Sequence, residues 1–243
     1  MKRILERAKP WEIALWWVGR AIMVATLIWK ISVKDSQAIS AISLNLAGTF
    51  MWELFQFLPK KSLLRYLPSY SQDISVIFLV LCCICGMALN LYYSAWWWDT
   101  VLHLFGGALG AICGYEYIVA VQTRDRIVVP VVLIPVFAFA FSFVIGNFWE
   151  LFEFTADQVI GADSQHWNYE LYLQNKMRLL FDMKYECRYA LMDTMEDMIC
   201  NTVGSVVAAI GLKFFPYRHR GRNDLNKIIA NEKKTVEKEL VIK

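Results

Sequence analysis

Six long apolar stretches, separated by polar or charged segments, occupy most of this 243-residue chain. They cover roughly residues 12–31, 38–58, 73–92, 97–120, 127–154 and 190–213. Each is close to the roughly 20 residues that a helix needs to cross a hydrocarbon core about 30 Å thick. Backbone in that core must be helical because no water is there to bond it. The pattern therefore predicts an all-α, polytopic membrane bundle of six transmembrane helices.

The composition agrees with this prediction and divides the chain. Apolar residues make up 57% and charged residues 19% of the sequence, whereas soluble domains usually carry about 25% charged residues. We predict one six-span transmembrane domain over residues 1–216 and a basic, charged cytoplasmic tail over residues 217–243. Because the basic residues lie at the ends of spans, we expect membrane lipids and no nucleic acid as partners. The sequence does not identify a protein partner.

The lysines and arginines predict an orientation. They concentrate before span one, after spans two and four, and in the tail, as Lys2, Arg3, Arg7, Lys9, Lys60, Lys61, Arg65, Arg124, Arg126, Arg218, Arg220 and Arg222. The positive-inside rule then puts both termini in the cytoplasm. The first stretch is too long for a signal peptide, so we expect it to be a retained span. The loop over 155–189 would lie outside, with 169–181 either an interfacial helix or a poorly structured segment.

A short motif occurs twice. The sequence WELFQF at 52–57 and the sequence WELFEF at 149–154 differ at one position, and each ends a predicted span on opposite sides of the membrane. Asp73 begins span three as Asp193 begins span six. Three spans per half with opposite polarity would form a 3+3 inverted repeat. Chance similarity between two short aromatic motifs is the alternative.

Three pairs of ionisable residues with helical spacing lie at the predicted outer ends of spans four to six. They are Asp99 with His103, Glu150 with Glu153, and Asp193 with Asp197, and Asn201 continues the last face. Ionisable residues inside a bilayer are costly and usually functional. No lysine or arginine shares their depth in these spans, so a divalent cation such as Mg²⁺, Mn²⁺, Zn²⁺ or Fe²⁺ is the simplest neutraliser. Alternatively, acids such as Asp99 and Asp193 cap helix starts in interfacial water.

Other polar residues within or near the spans carry weaker signals. Arg20 lies in span one and is expected to pair with Glu53 or Asp73 near the inner side, as a secondary site; a purely structural role is the alternative. His166 and His219 are expected to be solvated. Small residues let membrane helices approach closely, and the glycines expected to do so are Gly106, Gly107, Gly110 and Gly204.

The order of these motifs resembles a known family. The motifs are WDTVLH at 98–103 with Gly107, WELFE at 149–153, and DTMEDM at 193–198 with Asn201 and Gly204. In this order they are similar to those of the bacterial YjdF-like family of inner-membrane proteins, and more distantly to the VanZ-like proteins. The resemblance implies a bacterial cytoplasmic-membrane location. The association of VanZ-like members with glycopeptide resistance points towards the cell envelope.

Three functions are compatible with these observations. The first is a protein with a metal-binding or acid–base site near the outer leaflet that acts on lipid or envelope substrates. The second is an ion- or proton-coupled transporter that uses the same carboxylates. The third is a non-catalytic membrane scaffold. The sequence does not decide whether the protein is an enzyme, and it indicates neither substrate nor reaction.

Overall fold

The architecture is helical. The computed structural model describes residues 8–62, 64–161, 163–168 and 189–214, and, near the C-terminus, residues 223–224, 226–231 and 234. Within these ranges all regular structure is helical, which confirms the all-α prediction. The segment 169–181 and most of the predicted tail lie outside the described residues.

Eight α-helices can be followed along the described chain. They are α1 (Pro10–Ser32), α2 (Ser36–Gly48), α3 (Met51–Phe57), α4 (Tyr70–Val80), α5 (Leu91–Ser94), α6 (Trp98–Asp125), α7 (Leu133–Ile160) and α8 (Tyr189–Phe214). A 3₁₀ turn at Leu64–Tyr66 precedes α4, and a π-helix at Leu81–Ala88 extends it. Five helices are long and apolar enough to cross a membrane: α1, α4 with its π-extension, α6, α7 and α8. The pair α2–α3, bent by 42°, makes a sixth span if it crosses as one unit.

The apolar surface of the bundle fits a membrane. Large apolar side chains such as Phe148, Val159 and Val207 are exposed on the outside of α7 and α8. Inside, α1 packs against α2 and α4, and α6, α7 and α8 pack against one another. Exposed apolar side chains around a packed helix bundle are expected when the outer faces of the helices contact lipid.

The bend between α2 and α3 is held by polar side chains from two other helices. The carbonyl oxygen of Thr49, freed at the bend, accepts hydrogen bonds from Arg20 Nη2 and from Gln72 Nε2. Gln72 Oε1 in turn accepts the backbone N–H of Trp52 at 3.1 Å. These bonds satisfy backbone groups that a continuous helix would have paired internally.

Arg20 is buried and pairs with one of the two carboxylates considered for it. Its Nη2 lies 2.5 Å from Glu53 Oε1. Asp73 instead accepts a hydrogen bond from Trp16 Nε1 at 2.6 Å. These two neighbouring contacts join α1 to α3 and to α4.

Helix α7 begins and ends later than its apolar stretch predicts. It runs from Leu133 to Ile160 rather than over 127–154. Pro130 lies in the turn before the helix, and Pro135 lies in its first turn, where the missing N–H costs no internal hydrogen bond. The connection to α8 consequently begins at Gly161, and the two copies of the six-residue motif do not both end a helix. The inverted repeat stays a prediction.

Close contacts between α6, α7 and α8 depend on small residues. A Cβ on Gly107 would overlap the carbonyl oxygen of Asn201, and one on Gly204 would overlap that of Leu104. Gly110 lies against Ser142 in the same way, which confirms the close approach predicted for three of the four glycines. Gly106 differs, since its Cβ would meet only Phe78 Cζ at 3.7 Å.

Gly204→Ala is expected to destabilise the bundle by about 1–3 kcal/mol because α6 and α8 must move apart. Gly106→Ala is the matched control, since the added methyl group would lie at ordinary van der Waals distance from Phe78. Melting of both variants in detergent, followed by circular dichroism, checks this. Equal melting temperatures for the two variants would show that the α6–α8 contact is not tight.

Candidate metal centre

The three predicted ionisable pairs meet at one end of the bundle, where α6 and α8 begin. His103 is central. Its Nε2 lies 3.6 Å from Asp99 Oδ1 and 3.6 Å from Asp197 Oδ2, and its Nδ1 lies 3.7 Å from Glu150 Oε1. Residues from three helices are therefore in contact around one imidazole.

The cluster lies deeper in α7 than its sequence suggests. Glu150 and Glu153 precede the end of the helix at Ile160 by two to three turns, so they lie within the helix, although they fall at the end of the predicted span. In α6 the capping position is occupied by Trp97, so Asp99 does not act as an N-cap. Asp99 instead lies in the first turn of α6.

The acidic and histidine side chains at this end of the bundle form two adjacent groups that could each bind a metal ion. In each group, one donor atom per residue lies within 4.8 Å of the donor atoms of the others. The first group, here called the central set, is His103, Glu150, Glu153 and Asp197; the second, the loop set, is Asp99, His166 and Asp193. All six predicted ligands thus belong to one or the other set, and one further residue joins them.

His166 is the residue that sequence reasoning missed. The expectation that it is solvated is wrong: it is only 6% exposed, and its Nδ1 lies 2.9 Å from Asp193 Oδ1. The chain turns sharply after α7 at Gly161, whose φ of 64° favours glycine. It then passes back over the cluster, and His166 itself has a φ of 46°.

The segment 163–168, here called the loop, is tied down by buried acids. Asp157, near the end of α7, accepts the backbone N–H groups of Ser164 at 2.8 Å and Gln165 at 3.0 Å. Asp163 accepts the hydroxyl of Tyr93 at 3.1 Å. A run of acids and a histidine immediately after an apolar stretch was the available sequence signal for this loop.

The electrostatics of the loop follow from its burial. Burial alone lowers the pKa of His166, but the adjacent carboxylate of Asp193 outweighs it and raises that pKa to about 9. The imidazole is therefore cationic at neutral pH, and cation binding through it would release a proton. Burial also raises the pKa of Asp163.

Several carboxylate oxygens in the cluster lack a hydrogen-bond partner. They are buried and, within the ranges that the structure describes, accept no hydrogen bond: Glu150 Oε2, Glu153 Oε2, Asp193 Oδ2 and Asp197 Oδ2. Over the same ranges, the ion pairs of the cluster carboxylates are made only with His103 and His166. Buried carboxylate oxygens without a hydrogen bond are costly, and these groups could hold an additional cation.

Asn201, predicted as a secondary member, is buried but serves packing. It lies against Gly146, where a Cβ would overlap its Nδ2. Its backbone oxygen also accepts the hydroxyl of Ser205 at 2.7 Å. It holds α8 against α7 beneath the cluster and belongs to neither ligand set.

A cavity of about 200 Å³ opens beside the cluster. Asp99, Glu153 and His166 line one side of it, and α2 and the π-helix line the other. In the π-helix, Gly86 lies directly under the ring of Tyr92, where a Cβ would clash. π-helical segments are frequent at functional sites, and here one shapes the wall that faces the ligand sets.

Comparison with known proteins places the chain in a family. The family model described as predicted membrane protein DUF2238 matches residues 14–218, which include every residue of both ligand sets. The chain belongs to this family. No curated protein matches the chain, and neither does any solved structure. The finer resemblance to YjdF-like and VanZ-like proteins stays a prediction.

Asp157→Ala is expected to release the loop, because the backbone N–H groups of Ser164 and Gln165 would lose the carboxylate that accepts their hydrogen bonds. Cleavage by chymotrypsin after Trp167 should become several-fold faster, as measured by mass spectrometry of timed digests. Thr155→Ala is the control, since the Thr155 hydroxyl bonds only to Leu151 of its own helix. Equal cleavage rates in the two variants would mean that Asp157 does not hold the loop.

Proposed function

We propose that this protein is a metal-dependent membrane enzyme in which the central set binds a divalent cation. The observation that carries the proposal is a buried group of carboxylates around His103 in which Glu150 Oε2 and Glu153 Oε2 have neither a hydrogen bond nor an ion pair in the described chain. A set of three carboxylates and one imidazole suits Mg²⁺, Mn²⁺, Zn²⁺ or Fe²⁺. Carboxylates and histidines from facing helices also build the metal sites of helix bundles.

The side chains around the central set support binding rather than simple burial. Trp149 Nε1 donates to Glu153 Oε1 at 2.8 Å, which orients that carboxylate and leaves its Oε2 free. Such outer contacts fix ligand geometry in metal sites. The cation would supply a Lewis acid that polarises a phosphoryl or carbonyl oxygen.

Lipid or cell-envelope substrates fit this site best. The cavity beside Glu153 gives a substrate group access to the central set from within the bundle. The protein is membrane-embedded by family and by its helices, and the resemblance to VanZ-like proteins points to the envelope. A metal site reached from the membrane region would act on molecules of that compartment.

An ion-coupled transporter is the second candidate, and one observation favours it. The pair α2–α3 is bent at 42°, and Arg20 with Gln72 satisfies the backbone at the bend. Interrupted helices of this kind occur at the binding sites of transporters. A cation that is held tightly through purification favours the enzyme, and one that exchanges freely favours the transporter.

Loss of cation binding tests the enzyme proposal. Wild-type protein in detergent should retain at least one equivalent of a divalent cation by elemental analysis, and His103→Ala should bind it more than about tenfold more weakly, because a ligand is lost. Asp125→Asn is the matched control, since it removes a carboxylate from the opposite end of α6. No divalent cation in the wild type, even after incubation with Mn²⁺ or Zn²⁺, would refute the proposal.

The proposed location is the bacterial cytoplasmic membrane with both termini in the cytoplasm, supported by the distribution of lysine and arginine. Fluorescent-protein fusions after Lys243 should fluoresce, and alkaline phosphatase fusions there should be inactive. The pattern should reverse for fusions after Ser94, between α4 and α6. The opposite activities would invert the topology and put the cluster on the cytoplasmic side.

A further inference from the structure

We propose that the site holds two divalent cations side by side, the second bound by the loop set of Asp99, His166 and Asp193. This inference rests on the proposed metal binding by the central set. It assigns a distinct role to the loop, which the first cation does not require.

The loop set has the dimensions of a coordination site. Its three donor atoms lie within 4.8 Å of one another. Two ligands on opposite sides of one cation are about 4–5 Å apart when each bond is about 2.0–2.5 Å long. A single ion can therefore reach all three side chains without a large movement of the backbone.

An unpartnered buried oxygen points to a ligand within this set. Asp193 is only 6% exposed, and its Oδ1 contacts His166 Nδ1 at 2.9 Å. Its Oδ2 is buried and has no hydrogen-bond partner in the described part of the chain. This second oxygen of Asp193 is the atom of the loop set left for a cation.

The two sets are close enough to work together. His103 of the central set has its Nε2 3.6 Å from Asp99 of the loop set and 3.6 Å from Asp197 of its own. Cations in two-metal sites lie about 3.5–4 Å apart. Two cations can be that close only if their ligands are in contact, as His103 and Asp99 are here.

The anchoring of the loop is consistent with this role. Asp157 and Asp163 are both buried. Asp157 accepts the backbone N–H groups of Ser164 and Gln165 before His166, and Asp163 accepts that of Asn168 after it, at 2.9 Å. Two buried carboxylates are a costly means of closing a surface turn, but they fix the position of a ligand. Asp99 and His166 also line the same cavity as Glu153, so one bound group could reach both cations.

Mn²⁺ binding measures the number of sites and their proximity. Protein stripped with a chelator and titrated with Mn²⁺ in detergent should bind two equivalents. Its electron paramagnetic resonance spectrum should show exchange coupling between the two ions. His166→Ala and Asp193→Asn should each bind one equivalent with an uncoupled spectrum, while Asp125→Asn should behave as the wild type.

The outcomes separate this inference from the proposed function. One uncoupled equivalent in the wild type would overturn the second cation and leave the central set intact, whereas no binding would refute both. Two coupled equivalents in both His166→Ala and Asp193→Asn would overturn the assignment of the loop set. If neither variant folds, as judged by circular dichroism, the stoichiometry and coupling of the wild type decide.

Discussion

Neutralisation of buried negative charge is the constraint on which the functional end of this bundle depends. Carboxylates from α6, α7 and α8 converge on His103, and a second imidazole arrives from the loop. In a low-dielectric interior such groups repel one another unless protons or cations accompany them. The helices nevertheless approach closely there, so the fold tolerates this concentration of charge in a defined geometry.

Two carboxylates elsewhere in the bundle have a lysine or an arginine as their partner. Glu53 is paired with Arg20 at 2.5 Å, and Asp35 is paired with Lys30 at 2.9 Å. Asp35 also caps α2 by accepting the N–H of Ala38. Each of these carboxylates has a basic partner from the chain itself, whereas in the described residues the cluster has only histidines.

Packing and chemistry are linked through the small residues below the cluster. Ser142 of α7 donates to the carbonyl of Gly107 at 2.7 Å and lies 2.7 Å from the hydroxyl of Ser205 in α8. Gly107 and Gly204 let the backbones of α6 and α8 touch. Such close backbone approach is how membrane helices associate, and it holds the ligand-bearing turns above at fixed separations.

The sequence by itself determined the helical spans and the three ionisable pairs, because apolar length and the spacing of one helical turn are local properties. Only the tertiary structure decided which carboxylate Arg20 meets, how far α7 continues, and that His166 turns back to Asp193. These depend on contacts between residues distant in sequence and on left-handed backbone conformations at Gly161 and His166. Periodicity does not encode such contacts, so a histidine that looked like a solvated loop residue became part of the candidate site.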